Sequence, residues 1–244
     1  MKLATLTALV LLAPSVWAQS LLWQGDMETG DLSQWHYLAN PTGISVVQSC
    51  VYEGESAARI AIDGSEQFLW NGRQDLNRSE LNYRPANTAE GEDTYFGWSF
   101  YLPEVFADAR HELGYWESAD SWQQQMRFNI EGDTFSFQQS SAAEKIWAVP
   151  GFASAGVWRD VAMHIHWSSS ADTGFVEVWL DGESMGKVKM ATRVNETDPM
   201  FTQIGILRDQ REETEVIYID NARQGKDMAA VLAGFDAGAE RSCE

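Results

Sequence analysis

The feature that most limits what this chain can fold into is the near absence of helical periodicity. Short runs rich in Val, Ile, Phe, Tyr and Trp recur along it, separated by clusters of Gly, Asp, Asn and Ser. Such punctuation is the mark of an all-β protein. The clearest runs are 44–48, 56–62, 95–102, 124–130, 133–138, 158–167, 174–180, 201–207 and 215–220. Phe175 to Leu180 leads into Asp181-Gly182, a tight-turn pair because glycine tolerates positive φ. Lys187 to Met190 is therefore expected as the returning strand of a hairpin. Only 104–112 and 226–235 look briefly helical. So many short strands in about 200 residues point to a two-sheet antiparallel sandwich, a jelly roll of the concanavalin/lectin-like kind.

The first 18 residues read as a cleaved export signal: Lys2 supplies the positive end, Leu6 to Pro14 the apolar stretch, and Ser15-Val16-Trp17-Ala18 the small-residue cleavage site. That apolar run is shorter than the roughly 20 residues a membrane span needs. The expectation is a secreted protein, extracellular or periplasmic, with one β-jelly-roll domain over 19–244 and no linker or repeat to divide it. With 17 Lys plus Arg against 36 Asp plus Glu, the formal charge is −19. Such a field repels nucleic acid and anionic membranes, so neither is expected as a partner. It repels a polyanionic sugar as well, so an acidic substrate needs a local basic patch. A monomer is expected.

Cys50 and Cys243 are the whole thiol inventory. In an exported chain such a pair reads as one disulfide tying the C-terminal tail to the body. Eleven tryptophans exceed what one sandwich core needs. Trp158 and Trp179 fall inside strand patterns and are expected in the core. Trp70, Trp116 and Trp122 lie in polar, loop-like surroundings, where an aromatic face can meet a pyranose ring.

Several stretches, in order, resemble the polysaccharide lyase family that contains glucuronan lyase and is related to heparin lyase I. They are 23–35, 53–60, Asn77-Arg-Ser-Glu-Leu81, 95–103, 158–168, 174–182, Ile204-Gly-Ile-Leu-Arg208 and Tyr218-Ile-Asp-Asn221. Together they cover roughly residues 22–225. Most of them carry fold. The Arg-Ser-Glu-Leu element is more specific and recurs in alginate lyases of the same fold, so the resemblance implies an acidic, uronate-containing polysaccharide as partner and β-elimination as reaction. Removing the C5 proton next to an ionised carboxylate needs a cation or donor against that carboxylate, plus a base and an acid. Arg78 is the natural neutraliser, since its fork can grip a carboxylate. In a strand, Glu80 shares its face and can hold the guanidinium in place.

The acid and base are where the chain departs from the family. Relatives carry Gln-Trp-His and a late Gly-Ile-Tyr-Arg; here the matching positions read Tyr115-Trp116-Glu117 and Gly205-Ile206-Leu207-Arg208. Three outcomes stay open: Tyr115 has taken over with its pKa lowered by Arg78, the chemistry is altered, or the site is inactive. His164 and His166 share a strand face and are further candidates for the base. Gln124, expected opposite in face to Arg127, and Gln203 and Arg208 on the late strand are candidates for sugar contact. Asp26, Glu28 and Asp31 near the first strand and Asp220 on the last suggest a structural Ca²⁺ where the two ends of such folds meet. No organic cofactor is expected. Two other classes remain: a lyase-derived binding module without catalysis, and a glycoside hydrolase, for which no Glu-x-Asp-x-x-Glu-like run is found on the expected strands.

Overall fold

The computed structural model describes residues 20–65, 67–70, 73–235 and 243, and of 67–70 and 73–75 the backbone alone. The expected export signal lies outside the described residues, as does the side chain of Trp70. The first half of the chain forms β1 (Leu21–Gly25), β2 (Tyr37–Ala39), β3 (Ile44–Val47), β4 (Ala57–Ile62), β5 (Gln67–Trp70), β6 (Arg73–Tyr83), β7 (Asp93–Tyr101) and β8 (His111–Ser118). The second half forms β9 (Gln124–Glu131), β10 (Thr134–Gln139), β11 (Trp147–Val149), β12 (Trp158–His166), β13 (Phe175–Leu180) and β14 (Glu183–Lys189). β15 (Met200–Asp209), β16 (Glu215–Gly225) and a five-residue helix α1 (Met228–Leu232) complete it.

The strands assemble into two antiparallel sheets of eight. One runs β14-β13-β12-β7-β16-β4-β3 with β1 added on β16; the other runs β11-β10-β9-β8-β15-β6-β2 with β5 added on β6. This is the expected jelly-roll sandwich. The period of two that a half-buried strand requires is plain in β13, where Val176, Val178 and Leu180 are buried while Phe175, Glu177 and Trp179 face outward. The inward-facing residues of both sheets meet in one core. Trp98, Trp116, Trp167, Phe96, Phe100 and Phe135 are fully buried there, and burial of each such ring contributes about 2–3 kcal/mol.

Two differences from the expectation have physical causes. Residues 104–110 make a loop rather than a helix, and 111–112 already belong to β8. The buried Phe106 of that loop packs beside His111, ring centroids 4.9 Å apart, so an apolar plug at the sandwich end imitates helical spacing. Trp158 is buried as expected, in a satellite cluster with Cys50, Tyr52 and Tyr101, but Trp179, also expected in the core, is only partly buried because the alternation of β13 turns it outward. The second helical stretch does contain α1, which packs on β7, β12 and β16. The close approach requires Gly97, because a Cβ there would lie 2.6 Å from Val231 Cγ1.

Cys50 and Cys243 are joined, Cα to Cα 4.2 Å, across 193 residues of sequence. Closing so long a loop removes entropy from the unfolded chain. Reduction, or Cys50→Ala with Cys243→Ala, is expected to lower stability by about 2–5 kcal/mol, read as a lower midpoint in guanidinium unfolding. An unchanged midpoint would show that the bridge does not constrain the unfolded state.

Candidate active site

Strands β8, β15 and β6 are neighbours in the second sheet, and their outward side chains line a cleft of about 570 Å³. The register sets Leu207 opposite Arg78, Gly205 opposite Glu80 and Gln203 opposite both Asn82 and Tyr115. Arg78 and Glu80 share a face, as strand alternation requires, and form an ion pair in which Glu80 is wholly buried and Arg78 keeps 11% of its side chain exposed. Arg78 also donates through Nη2 to Gln203 Oε1. Gln203 in turn donates through Nε2 to Glu117 Oε2 at 2.9 Å, and the Tyr115 hydroxyl donates to Glu80 Oε2 at 3.0 Å. Five side chains from three strands thus form one hydrogen-bonded array. The Arg78 backbone is fixed too, since Asn40 Nδ2 donates to its carbonyl at 2.7 Å.

Burial governs the proton affinities. Desolvation opposes the Arg78 charge, but the carboxylates of Glu80 and Glu117 and the Tyr115 phenol outweigh it, and the guanidinium pKa is raised. Burial pushes Glu80 above the ordinary carboxylate range against the pull of Arg78. Glu117 is pushed up to about 7, by burial first, with Arg78 opposing and Glu80 adding to the rise. Tyr115 moves well above the usual phenol range, because burial and Glu80 prevail over Arg78. That overturns the expectation that Arg78 would make Tyr115 a ready base: its hydroxyl is committed to Glu80.

The Gly205 of the late motif has a steric reason. A Cβ at that position would lie 2.3 Å from Ser79 O and 2.8 Å from Glu80 Cα, so only glycine lets β15 close on β6 beneath the ion pair. Beside the array stands Glu112, which receives Gln124 Nε2 at 2.8 Å and Arg127 Nη1 at 3.2 Å. Gln124 and Arg127 therefore reach one partner on one face, contrary to the alternation expected of a regular strand. Irregular register between β8 and β9 at Trp116/Glu117 shifts the parity. At the cleft's end Trp122 is 47% exposed and set edge-on to Phe201, ring centroids 5.8 Å apart. Its φ of 56° lies in the left-handed region, costly for an aromatic residue.

Other expected site residues lie elsewhere. Trp116 points into the core, 5.2 Å from Trp167 and 5.7 Å from Phe96, so it offers no sugar platform. Arg208 is the exception in position, since it lines the cleft, but its guanidinium is taken up by Glu215 and the carbonyls of Arg211 and Glu213. His164 and His166 lie on β12 of the other sheet, where both face Asp93 Oδ1, at 2.7 and 3.2 Å. They cannot serve the Arg78 cleft. Pairing of β1 with β16 does bring the two ends together, Gly25 opposite Ala222. Yet Asp220 accepts from Tyr52 N and Glu53 N at 2.8 and 3.1 Å, and Glu28 from Glu55 N and Ser56 N at 2.8 and 2.9 Å. Asp26 is bound to Gln34 at 2.8 Å and Asp31 to Ser33 N at 3.0 Å. Among the described residues no three His, Cys, Asp or Glu side chains converge as a metal site; Asp26 does lie near enough to Asp220 to add to the upward push on its pKa, after burial. Sequence reading missed Glu112, Asn82 and Tyr37. Asn82 was within reach, two residues beyond Glu80 on the same face; the three-residue strand of Tyr37 gave no pattern to read.

Residues 27–223 match the family model described as polysaccharide lyase. By sequence, no curated protein matches. Among solved structures, an endo-β-1,4-glucuronan lyase from the fungus Trichoderma reesei is 20% identical, covers 87% of this chain and 98% of its own, and superimposes with a TM-score of 0.66. The catalytic domain of a glycoside hydrolase family 131 protein from Coprinopsis cinerea is 13% identical over 92% of this chain and 98% of its own, TM-score 0.59. An alginate lyase, AlgAT5, of polysaccharide lyase family 7 is 11% identical over 71% and 80%, TM-score 0.53. At these identities the likeness establishes the jelly-roll fold alone.

The raised Glu117 carboxyl carries a stability signature. Its folded pKa of about 7 exceeds the ordinary 4.5, so the folded state binds the extra proton. The stability this adds is complete below about pH 4.5 and is lost as pH rises through about 7, on the order of 3 kcal/mol in all. Glu117→Gln is expected to lose less stability than the parent between pH 5 and pH 8, followed by thermal unfolding. Asp220, also raised to about 7 by burial, keeps part of the slope. Parallel curves for parent and variant would show that Glu117 is not held protonated.

Proposed function

Because the chain belongs to the polysaccharide lyase family, we propose that it cleaves a uronate-containing polysaccharide by β-elimination in the Arg78 cleft. The observation that carries this reading is the Arg78–Gln203–Glu117 chain of hydrogen bonds along the cleft floor. Arg78 and the Gln203 amide meet the uronate carboxylate, which spreads the charge that develops when the C5 proton leaves. Glu117 takes that proton; a carboxylate with a pKa near 7 is a stronger base than an ordinary one and is still largely ionised just above neutrality. Glu80 and Tyr115 position Arg78. Trp122 supplies an aromatic face for a neighbouring sugar. Export is part of the reading, supported by the disulfide and the N-terminal leader pattern; among the described residues no helix is long and apolar enough to span a membrane.

A second reading has its own observation. Leu207, opposite Arg78, stands where the resemblance expects a tyrosine, which favours a module that binds and does not cleave. Incubation with glucuronan, alginate and heparin, followed by absorbance of the unsaturated uronate, separates the readings. A lyase gives that signal, a hydrolase gives new reducing ends without it, and a binding module gives retention on a polysaccharide gel and neither product. For the lyase, Arg78→Ala is expected to lower kcat/KM by about 100- to 1000-fold. The parent's kcat/KM should climb as pH passes about 7, and a flat profile there would remove Glu117 as the base. Trp122→Ala is expected to weaken polymer binding about tenfold with kcat nearly unchanged; equal affinity would strike Trp122 from the site.

A further inference from the structure

A proton acceptor is half of an elimination; the departing glycosidic oxygen also needs a proton, since a sugar alkoxide is a poor leaving group. Resting on the lyase reading above, we propose that Tyr37 is the proton donor to that oxygen. Among the described residues, Tyr37 and Tyr115 are the two phenols lining the cleft. Tyr115 is buried with its hydroxyl on Glu80 at 3.0 Å, whereas Tyr37 is 60% exposed. Glu112 is engaged by Gln124 at 2.8 Å and by Arg127 at 3.2 Å, and Leu207 carries no proton to give.

The register puts Tyr37 in the right row. It pairs with Asn82, Asn82 pairs with Gln203, and Gln203 pairs with Tyr115, so one row crosses β2, β6, β15 and β8. With strands about 4.8 Å apart, Tyr37 Cα stands about 10 Å from Gln203 Cα, two steps along the row. The Glu117 carboxylate lies on the other side of that amide, reached from β8. A uronate seated on Arg78 and Gln203 therefore has a carboxylate on one wall and a phenol on the other. The step balances. The C5 proton passes to Glu117, the C5–H electron pair becomes the C4=C5 double bond, the C4–O bond breaks, and its oxygen takes the phenolic proton of Tyr37. Water then returns a proton to the phenolate and receives one from Glu117.

Tyr37→Phe keeps the ring on an exposed edge strand and removes only the hydroxyl, so folding is expected to be intact, checked by an unchanged thermal midpoint. With the polymer that the parent cleaves, kcat for unsaturated product is expected to fall at least about 100-fold, while KM and retention on a gel of that polymer stay within about twofold. Parent-like kcat in Tyr37→Phe overturns the assignment and leaves the lyase reading standing. Loss of gel retention together with kcat also overturns it, making Tyr37 a binding residue. A parent protein that releases no unsaturated product from glucuronan, alginate or heparin overturns the assignment along with the reading beneath it.

Discussion

The cleft depends on one buried charge. Glu80 has no exposed side-chain surface, and a carboxylate in that position is tolerable only when paired and hydrogen-bonded. Arg78 and Tyr115 supply the partners, both at Oε2; the other oxygen, Oε1, is buried with no hydrogen-bond partner among the described residues. This incomplete satisfaction agrees with the upward push on its pKa. It also makes the array sensitive to each member, because removing one partner of a buried pair costs about 3–5 kcal/mol. From Glu80 outward, each group is oriented by the one before it. Arg78 is aimed by Glu80, the Gln203 amide has its oxygen turned to Arg78, and its nitrogen is thereby left for Glu117.

That polarity of Gln203 has a chemical consequence. An amide presents one acceptor and one donor group, and Arg78, which cannot accept, claims the acceptor. Glu117 must then accept from the nitrogen, so its hydrogen-bonded oxygen need not carry the proton. A protonated Glu117 carries it on the remaining oxygen. Burial raises the proton affinity while the amide and guanidinium restrain it, and the result is a carboxyl that changes state near neutrality. A lysine in place of Arg78 would not reproduce the arrangement, for it lacks the planar fork that spans a carboxylate and an amide at once.

What the sequence allowed a reader to see follows from which physical regularities persist along a strand. Period-two alternation is preserved in β6, so Arg78 and Glu80 were legible as face-sharing neighbours. It breaks between β8 and β9, where the pairing slips at Glu112/Gly114 and again at Trp116/Glu117. Parity counted across the second slip misassigns Gln124 and Arg127 to opposite faces. Trp116 failed for another reason: its polar neighbours Tyr115 and Glu117 line the cleft, and the alternation that puts them there sends Trp116 into the core. His164 and His166 were rightly placed on one strand face, but a single sequence does not say which sheet that strand joins. Their partner Asp93 lies about 70 residues earlier, and nothing local predicts that meeting.

The strongly acidic composition also acquires a local meaning. A net charge of −19 works against a polyanion everywhere except where arginines gather, and Arg78, Arg84, Arg110 and Arg208 all line this cleft. Most of these charges are compensated on the spot, Arg208 by Glu215. Arg78 is paired with Glu80, and Arg110 lies 3.7 Å from Glu112; Arg84 sits over the Phe201 ring, 5.1 Å from its centroid. A cleft in which most cations are paired attracts weakly at a distance but presents oriented donors at contact, so it favours recognition by geometry over capture by field. Such a site suits a substrate whose carboxylate must be gripped in one orientation for the adjacent C–H to be presented to a base. It suits less well a module that gathers polyanions by charge alone. The positions where the family resemblance fails, Glu117 and Leu207, are in the same cleft as the oriented array, one engaged in it and the other apolar beside Arg78. Leu207 carries no titratable group opposite Arg78 in the middle of the sheet, whereas an exposed phenol, Tyr37, stands at its edge.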